Sequence, residues 1–557
     1  ERVTEAEDEK EGLKLIKAES NWDKFFLNFH DVNTLENQIL HSFLKKTRWF
    51  GGKAKKVSKI KVDMAIPMKV ENQTNYLLVL EVCYIQRLPE YYFMPLSFVS
   101  ALDVIEEIDY NPQSVVCRID FGRLQGFLID SSYDSKFRNY LLFAMSSRMK
   151  LKTETGELSF NSGTFNKINI PKREIRSKVL KADQSNTAII YNDQYFFKFY
   201  RKIEKEINPD LEIVRFFSEK TTFANAPKYA GGVEFKTNTG KNIVFGLLQG
   251  LVENQGDAWV MTTDALGRYF DRVFTKVDRK DKPPKMTQDP AIDFEKAPML
   301  IQELVGNIYA ERVVRLGQRT AEMHLALASD ASDGAFAPEK ISGNYQRAVY
   351  SSLRKLVKDR FKLLNQKIKD LQPHVRELAQ EVLRRENDVL DCFSEFHKNK
   401  IDGIKTRIHG DYHLGQILFN GKDFIIIDFE GEPGFTFSER RLKKSPIKDV
   451  AGMMRSFHYA AYGKILLNEN YRDKDIEYLE TWAEQWQHYV SRFYLSAYLE
   501  RMGIGKKLTE SYEILMRTYL LEKAIYELGY ELNSRPEWVI IPLRGIKYLI
   551  DKYDKMK

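Results

Sequence analysis

Cysteine is scarce: three in 557 residues, Cys83, Cys117 and Cys392, odd in number and widely separated, without a CxxC pair or a His-rich neighbourhood. This excludes a disulfide framework and a cysteine-based zinc site, and it favours free thiols in a reducing, cytoplasmic setting. No apolar stretch approaches the roughly 18 residues a membrane helix needs, so a helical span is excluded. The opening residues, ERVTEAEDEKEG, are charged and do not read as a signal peptide. A strong excess of one charge is also missing. Lys and Arg number 86 against 78 Asp and Glu, and the net +8 is spread along the chain, so neither a nucleic-acid stripe nor a membrane partner is indicated. With 43% hydrophobic and 29% charged residues the composition is that of an ordinary globular protein. The length suggests about three to four domains.

The richest segment is RIHGDYHLGQILFNGKDFIIIDFEGE, from Arg407 to Glu432. Ile417–Phe419 is a short apolar run, Asn420-Gly421 is a dipeptide favoured in tight turns, and Phe424–Ile427 is a second, β-branched run, so the spacing predicts a hairpin. Folding it brings Asp411, on the loop before the first strand, toward Asp428, just past the second. Kinase-type phosphoryl transfer uses an Asp near the attacking hydroxyl, an amide a few residues later on a metal, and a second Asp on Mg²⁺. Asp411, Gln416 and Asp428 fit these roles in order. Glu430, two positions on, is expected to point the same way along an extended strand and to help hold a second metal. His409 and His413 are four apart, but they sit in a Gly-flanked loop and not on a helix, so they do not read as a zinc pair. His409 is expected to organise the loop and His413 to line the substrate mouth.

Further upstream, Lys198 interrupts the apolar strand YFFKFY, where a lone cation needs an anionic partner. A kinase lysine so placed contacts the α- and β-phosphates and is held by a Glu on the next helix, here Glu212 of INPDLEIVRFF. The preceding turn, Ala182 to Thr187, lacks flap glycines, but Gln184, Ser185, Asn186 and Thr187 are placed to cover phosphates with side chains and backbone N–H groups. Gln249 to Val252 follow an apolar strand and would form the hinge that meets adenine.

Four segments are expected. Residues 1–40 read as a polar linker, turning helical near Asn33, and 41–135 as a β-rich cap. Residues 136–255 read as an intermediate subdomain with the ATP-binding lobe, and 256–557 as a mainly helical lobe carrying the catalytic hairpin and the acceptor site. DRKDKPPK, inside 271–294, reads as an exposed charged insertion. The first residue is Glu, which suggests a processed product or a piece of a longer polypeptide.

Nine stretches make up a pattern: RWFGGK (Arg48–Lys53), DQSNT (Asp183–Thr187), FKFYRKIEKEINPDLE (Phe197–Glu212), LGQRTAEMHLALA (Leu316–Ala328), HGDYHLGQ (His409–Gln416), IIDFEGEP (Ile426–Pro433), SPIKDVAGMMRSFHYAA (Ser445–Ala461), and EKAIYEL (Glu522–Leu528) with RPEWVIIPLRGI (Arg535–Ile546). In this order they resemble the maltokinase family. The resemblance implies an α+β, bilobal eukaryotic-kinase-like and aminoglycoside-phosphotransferase-like fold with an additional N-terminal β-rich cap. It also implies ATP- and Mg²⁺-dependent phosphorylation of maltose at its anomeric hydroxyl, giving maltose 1-phosphate for α-glucan synthesis. Asp411 is then the base, Gln416, Asp428 and Glu430 the metal ligands, and Lys198 with Glu212 the phosphate-binding pair. Relatives occur fused behind a trehalose synthase, which makes such a fusion or association an expected partner. RWFGGK falls in the cap, where Trp49 and Phe50 read as packing residues.

A disaccharide offers hydroxyls and an apolar ring face, so polar forks and an aromatic platform are expected. His413, Arg440, Arg441, Tyr526, Glu527, Arg535 and Trp538 are the candidates, with helix bracing as the competing role. Two other readings stay open: a kinase for another sugar or small molecule, and a catalytically silent module attached to trehalose synthase.

Overall fold

A computed structural model describes residues 13–101, 112–163, 175–180, 185–466 and 471–555. The fold is α+β, and the chain divides into two compact units. The first comprises residues 1–219, 227–251 and 436–438; the second comprises 220–226, 252–435 and 439–557.

The first unit holds two seven-stranded sheets. In the first sheet β1 (Leu15–Lys17), β2 (Val57–Val70), β3 (Gln73–Tyr84), β4 (Arg87–Ser100), β5 (Val115–Asp120) and β6 (Gln125–Asp130) run in the order β1-β5-β6-β4-β3-β2. All its pairs are antiparallel except β1 with β5. Alternation in β3 sends Tyr76, Leu78, Leu80, Val82 and Tyr84 to one face, where they share a core with Trp22, Phe25, Leu35, Ile39, Leu40, Phe43 and Leu44. Residues 13–40 are therefore not a linker, as their polarity suggested. A few large apolar side chains, with β1 pairing through Leu15–Lys17, make them part of the cap.

The second sheet contains β7 (Lys150–Thr153), β8 (Gly156–Ser162), β9 (Ser177–Val179), β10 (Asn186–Tyr191), β11 (Tyr195–Tyr200), β13 (Tyr229–Thr237) and β14 (Asn242–Gly250), in the order β7-β8-β13-β14-β11-β10-β9. The short β12 (Lys202–Ile203) instead joins β4 of the first sheet. The two sheets meet through rings: Phe93 stacks on Phe245 at 4.4 Å and contacts Phe199 at 5.4 Å. RWFGGK lies at this junction as packing, with Trp49 and Phe50 buried against Tyr92.

The second unit is mainly helical. Its central helix, Ile447–Leu466, is buried along most of its length and packs against the Ala258–Lys276, Asp473–Arg501 and Glu510–Ser534 helices. Two small ribbons lie among the helices: β15 (Glu339–Lys340) with β16 (Ile404–Lys405), and β17 (Ile417–Phe419) with β18 (Phe424–Ile426). Part of the expected exposed insertion is strapped down. Gln485 Nε2 donates to the Pro284 carbonyl at 3.0 Å, Arg492 Nε to that of Asp289 at 2.8 Å, and Ser496 Oγ to Asp293 at 2.7 Å. These donors lie along one face of the Asp473–Arg501 helix, so the segment follows that helix. No helix among the described residues is long and apolar enough to cross a membrane.

Candidate active site

In the second unit the predicted hairpin forms, with Ile417 opposite Ile426 and Phe419 opposite Phe424. Its loop is the four residues Asn420–Asp423 and not a two-residue turn, because the Asn420 side chain accepts from the N–H groups of Lys422 and Asp423 at 3.0 and 2.8 Å. The outer edge of β17 is anchored by Gln255 N–H to Phe419 O at 2.8 Å and by Phe419 N–H to Gly256 O at 3.0 Å.

The loop ahead of the hairpin is held from below by Asp449. This buried carboxylate accepts from the backbone N–H of His409 at 2.7 Å and of Gly410 at 2.9 Å, and from His324 Nε2 at 3.1 Å. Burial pushes the Asp449 carboxyl up, but the His324 hydrogen bond and the nearby charges outweigh this and hold it below the ordinary range. Gly410 adopts φ +88°, a left-handed conformation that suits glycine. Gly452 of the central helix lets the loop approach, since a Cβ there would stand 2.7 Å from the Tyr412 carbonyl oxygen. His409 is buried. Its Nε2 meets the Ile427 carbonyl at 2.9 Å, and since a carbonyl only accepts, Nε2 carries the proton and Nδ1 accepts from the Asp411 N–H at 3.4 Å. One imidazole thus ties the loop to the chain just past β18.

Beyond β18 the Gln416 amide donates to Asp428 Oδ2 at 2.9 Å. Asp428 has φ +64°, and Phe429–Glu430 is a turn. Glu430 is therefore not on an extended strand, as alternation required, yet its carboxylate oxygen lies within 4.8 Å of that of Asp428. Asp428 and Glu430 bring carboxylate oxygens together, and with the Gln416 amide oxygen they would make an all-oxygen donor set that fits a hard divalent cation such as Mg²⁺. His413 feels the charges of both Asp411 and Asp428, and burial lowers its pKa.

Asp411 has a partner that motif reading missed. Lys523 Nζ, on the Glu510–Ser534 helix, donates to Asp411 Oδ1 at 3.2 Å and to Glu432 Oε2 at 3.2 Å, while the Tyr526 hydroxyl donates to Glu432. Burial raises the Asp411 carboxyl, but Lys523, His413 and His409 override it and hold the group below its ordinary value. Glu432 is raised instead, by burial and by the Asp411 charge, which Lys523 offsets in part.

The other substrate candidates divide. Arg440 is a brace: its guanidinium donates to the carbonyls of Phe435 at 2.8 Å, Pro433 at 3.1 Å and Glu430 at 3.3 Å, which spends it on its own loop. Arg441, half-buried, ends the same short Phe437–Arg441 helix. Glu527 accepts from the buried Arg455 at 2.7 and 3.0 Å. Arg535 pairs with Glu531 at 2.7 Å and lies 4.6 Å over the half-buried Trp538 ring, which stacks on Tyr459 at 6.3 Å. Tyr526 and Trp538 thus offer a phenol and a ring face, while Glu527 and Arg535 are engaged in ion pairs.

In the first unit Lys198 lies on β11, inside the sheet between β10 and β14, and is buried. Its ammonium pairs with Asp210 at 3.3 Å, and the Tyr200 hydroxyl donates to the same oxygen at 2.9 Å. The sequence had pointed to Glu212. On the Pro209–Lys220 helix two positions are about 200° apart, so Asp210 and Glu212 present opposite faces, and the one toward the strand is that of Asp210. Gln184 lies outside the described residues. Ser185 is exposed, and Asn186 begins β10 opposite Tyr200. Thr187 is not free to cover phosphates, since its buried hydroxyl accepts from Arg201 Nε at 2.8 Å. Gln249 is not a hinge residue but is paired on both sides within β14, to Phe196 and Tyr229. The boundary between the units falls between Leu251 and Val252, and the Val252 carbonyl accepts from Asn254 at 2.9 Å.

No protein-family model matches the chain. Glucosamine kinase of Streptacidiphilus jiangxiensis is 26% identical over 138 residues, 24% of this chain and 29% of that protein. Glucosamine kinase of Mycolicibacterium smegmatis is 26% identical over 145 residues, 26% of this chain and 34% of the relative. The chain thus matches about a third of the length of these curated relatives. A solved glucosamine kinase in complex with glucosamine, ADP and inorganic phosphate superposes with a TM-score of 0.58 at 13% identity, over 92% of this chain and 99% of that one. A second crystal form of glucosamine kinase gives 0.59 at 14% identity, over 90% and 96%. The chain therefore has the kinase-like α+β fold of glucosamine kinase.

Proposed function

We propose that the chain is an ATP-dependent sugar kinase whose acceptor is maltose, phosphorylated at the anomeric hydroxyl to give maltose 1-phosphate. The observation that carries the reading is one local construction. A loop fixed by Asp449 and His409 presents Asp411, and the hairpin that follows holds Gln416 against Asp428 at 2.9 Å. Asp411, kept ionised by Lys523, accepts the proton of the sugar hydroxyl as its oxygen bonds to the γ-phosphorus and ADP departs. Lys198, oriented by Asp210 and Tyr200, holds the α- and β-phosphates. Gln416, Asp428 and Glu430 would hold Mg²⁺, which when bound offsets charge on the transferred group.

The acceptor assignment rests on the RPEW stretch and on the charge balance around Asp411. Asp411 and Glu432 share Lys523, Glu527 has Arg455, and Glu531 has Arg535. Glu527 and Glu531 each have a cation of their own, which suits a neutral acceptor, and the Trp538–Tyr459 pair adds aromatic surface for a sugar. Glucosamine is the second reading, supported by the likeness to the two glucosamine kinases.

ATP consumption measured with maltose, glucosamine, glucose, trehalose and kanamycin, with the product identified by NMR, decides between them. Turnover on maltose with an anomeric phosphate is the expected result. Faster turnover on glucosamine installs the second reading, and silence on every acceptor ends the kinase assignment.

A further inference from the structure

β11 and β12 are one stretch of chain broken at a single residue, Arg201. Before it, Tyr195–Tyr200 belongs to the sheet that carries Lys198; after it, Lys202 and Ile203 pair with Tyr92 and Tyr91 of β4 in the cap sheet. The Arg201 side chain is fully buried at this joint. Its Nη2 lies 2.7 Å from Asp130 Oδ2, at the end of β6, and 2.7 Å from Ser132 Oγ. Nε donates to Thr187 Oγ1 at 2.8 Å, and the guanidinium lies 4.8 Å over the Trp49 ring. The Phe93 N–H donates to the Arg201 carbonyl at 2.7 Å, so backbone and side chain are both held by the cap.

A buried guanidinium is costly unless its donors are met, and here the acceptors come from two sheets at once. Thr187 is the second residue of β10, directly after Asn186. Lys198 lies on β11, three residues before Arg201. The fork therefore fixes, relative to the cap, both the start of β10 and the strand that bears the phosphate lysine. We infer that Arg201 is a positioning residue for the nucleotide, through which the cap sheet sets the placement of Lys198 and of the start of β10. This inference rests on the nucleotide role given to Lys198.

The test uses Thr187→Val, which keeps shape but removes one acceptor, and Asp130→Asn, which removes the opposing charge from the cap side. Removing Arg201 itself risks loss of the fold. Lys198→Met reports on the nucleotide role. Binding of ATP with Mg²⁺ is titrated in each folded variant, alongside KM for ATP and KM for the sugar. The expected result is ATP binding severely weakened by Lys198→Met and weakened about tenfold by both other variants, with the sugar KM unchanged. The Thr187→Val, Asp130→Asn double variant is expected to cost less than the two effects multiplied, because both act through one guanidinium. Loss in Lys198→Met with wild-type ATP binding in the other two would overturn the role of Arg201 alone. Wild-type ATP binding in Lys198→Met would overturn the nucleotide reading and this inference with it.

Discussion

Lys523 Nζ stands 3.2 Å from Asp411 Oδ1, although 112 positions separate the two residues. Without that ammonium, burial would push the Asp411 carboxyl up; with it, the carboxyl lies below its ordinary value and stays ionised at neutral pH. As the proposed base, Asp411 stops accepting protons as pH falls through its folded pKa, so the acid limb of the wild type is expected below the ordinary aspartate value of about 3.9. Lys523→Met leaves burial opposed by the two histidines alone. The acid limb of kcat is then expected to move to higher pH, with KM for ATP unchanged, in a pH–rate profile. A limb that stays in place would show that Lys523 does not set the protonation of the base.

Asp411→Asn keeps the size and the loop geometry but removes the proposed proton acceptor. Turnover is expected to fall by about 10² or more, the range typical for losing a general base, while ATP binding persists. Single-turnover kinetics with saturating sugar provide the measurement, and near-normal turnover would remove Asp411 from the mechanism.

The features legible in the sequence were those decided within one local stretch. The hairpin, the relation of Gln416 to Asp428 and the apolar strand around Lys198 follow from neighbours a few positions apart. What escaped was set by helix phase or by distant pairing. Glu212 and Asp210 are both acidic and near the start of one helix, and only the packing of that helix on β11 decides which meets Lys198. Lys523, His324 and Asp449 reach the loop of Asp411 from helices distant in sequence; the stretches that contain them match the family pattern, but nothing local shows that they meet the loop. Residues 13–40 looked like a linker because Trp22 and Phe25 are thinly spaced among polar residues, yet both are buried in the cap core.

Asp449 carries the catalytic loop on its two oxygens, which makes it a stability residue as well as a positioning one. Asp449→Asn loses at least one of three hydrogen bonds to a charged acceptor, at a cost of about 1.5–3 kcal/mol. Because its folded pKa is depressed, the contribution is present above the unfolded carboxylate value and is lost as pH falls through the lower folded one. Urea unfolding at neutral pH is expected to show a lower midpoint for the variant. The gap between wild type and variant should close as the pH is lowered into that acid range, and a gap independent of pH would point to packing instead of charge.

Asp428 combines a proposed metal-binding role with an unfavourable backbone. At φ +64° a non-glycine residue is in the left-handed region, which costs about 1–2 kcal/mol relative to the right-handed one. Asp428→Ala and Asp428→Gly both delete the carboxylate that receives the Gln416 amide, so both are expected to lose turnover. They differ in the backbone: glycine adopts this conformation without a Cβ clash, while alanine retains the penalty. The glycine variant is therefore expected to be the more stable of the two by about 1 kcal/mol despite its greater unfolded-state entropy, read from chemical denaturation of the two proteins side by side. An alanine variant of equal or greater stability would mean that the turn at Phe429–Glu430 rearranges when the side chain is removed, and that the left-handed geometry is maintained by the carboxylate itself.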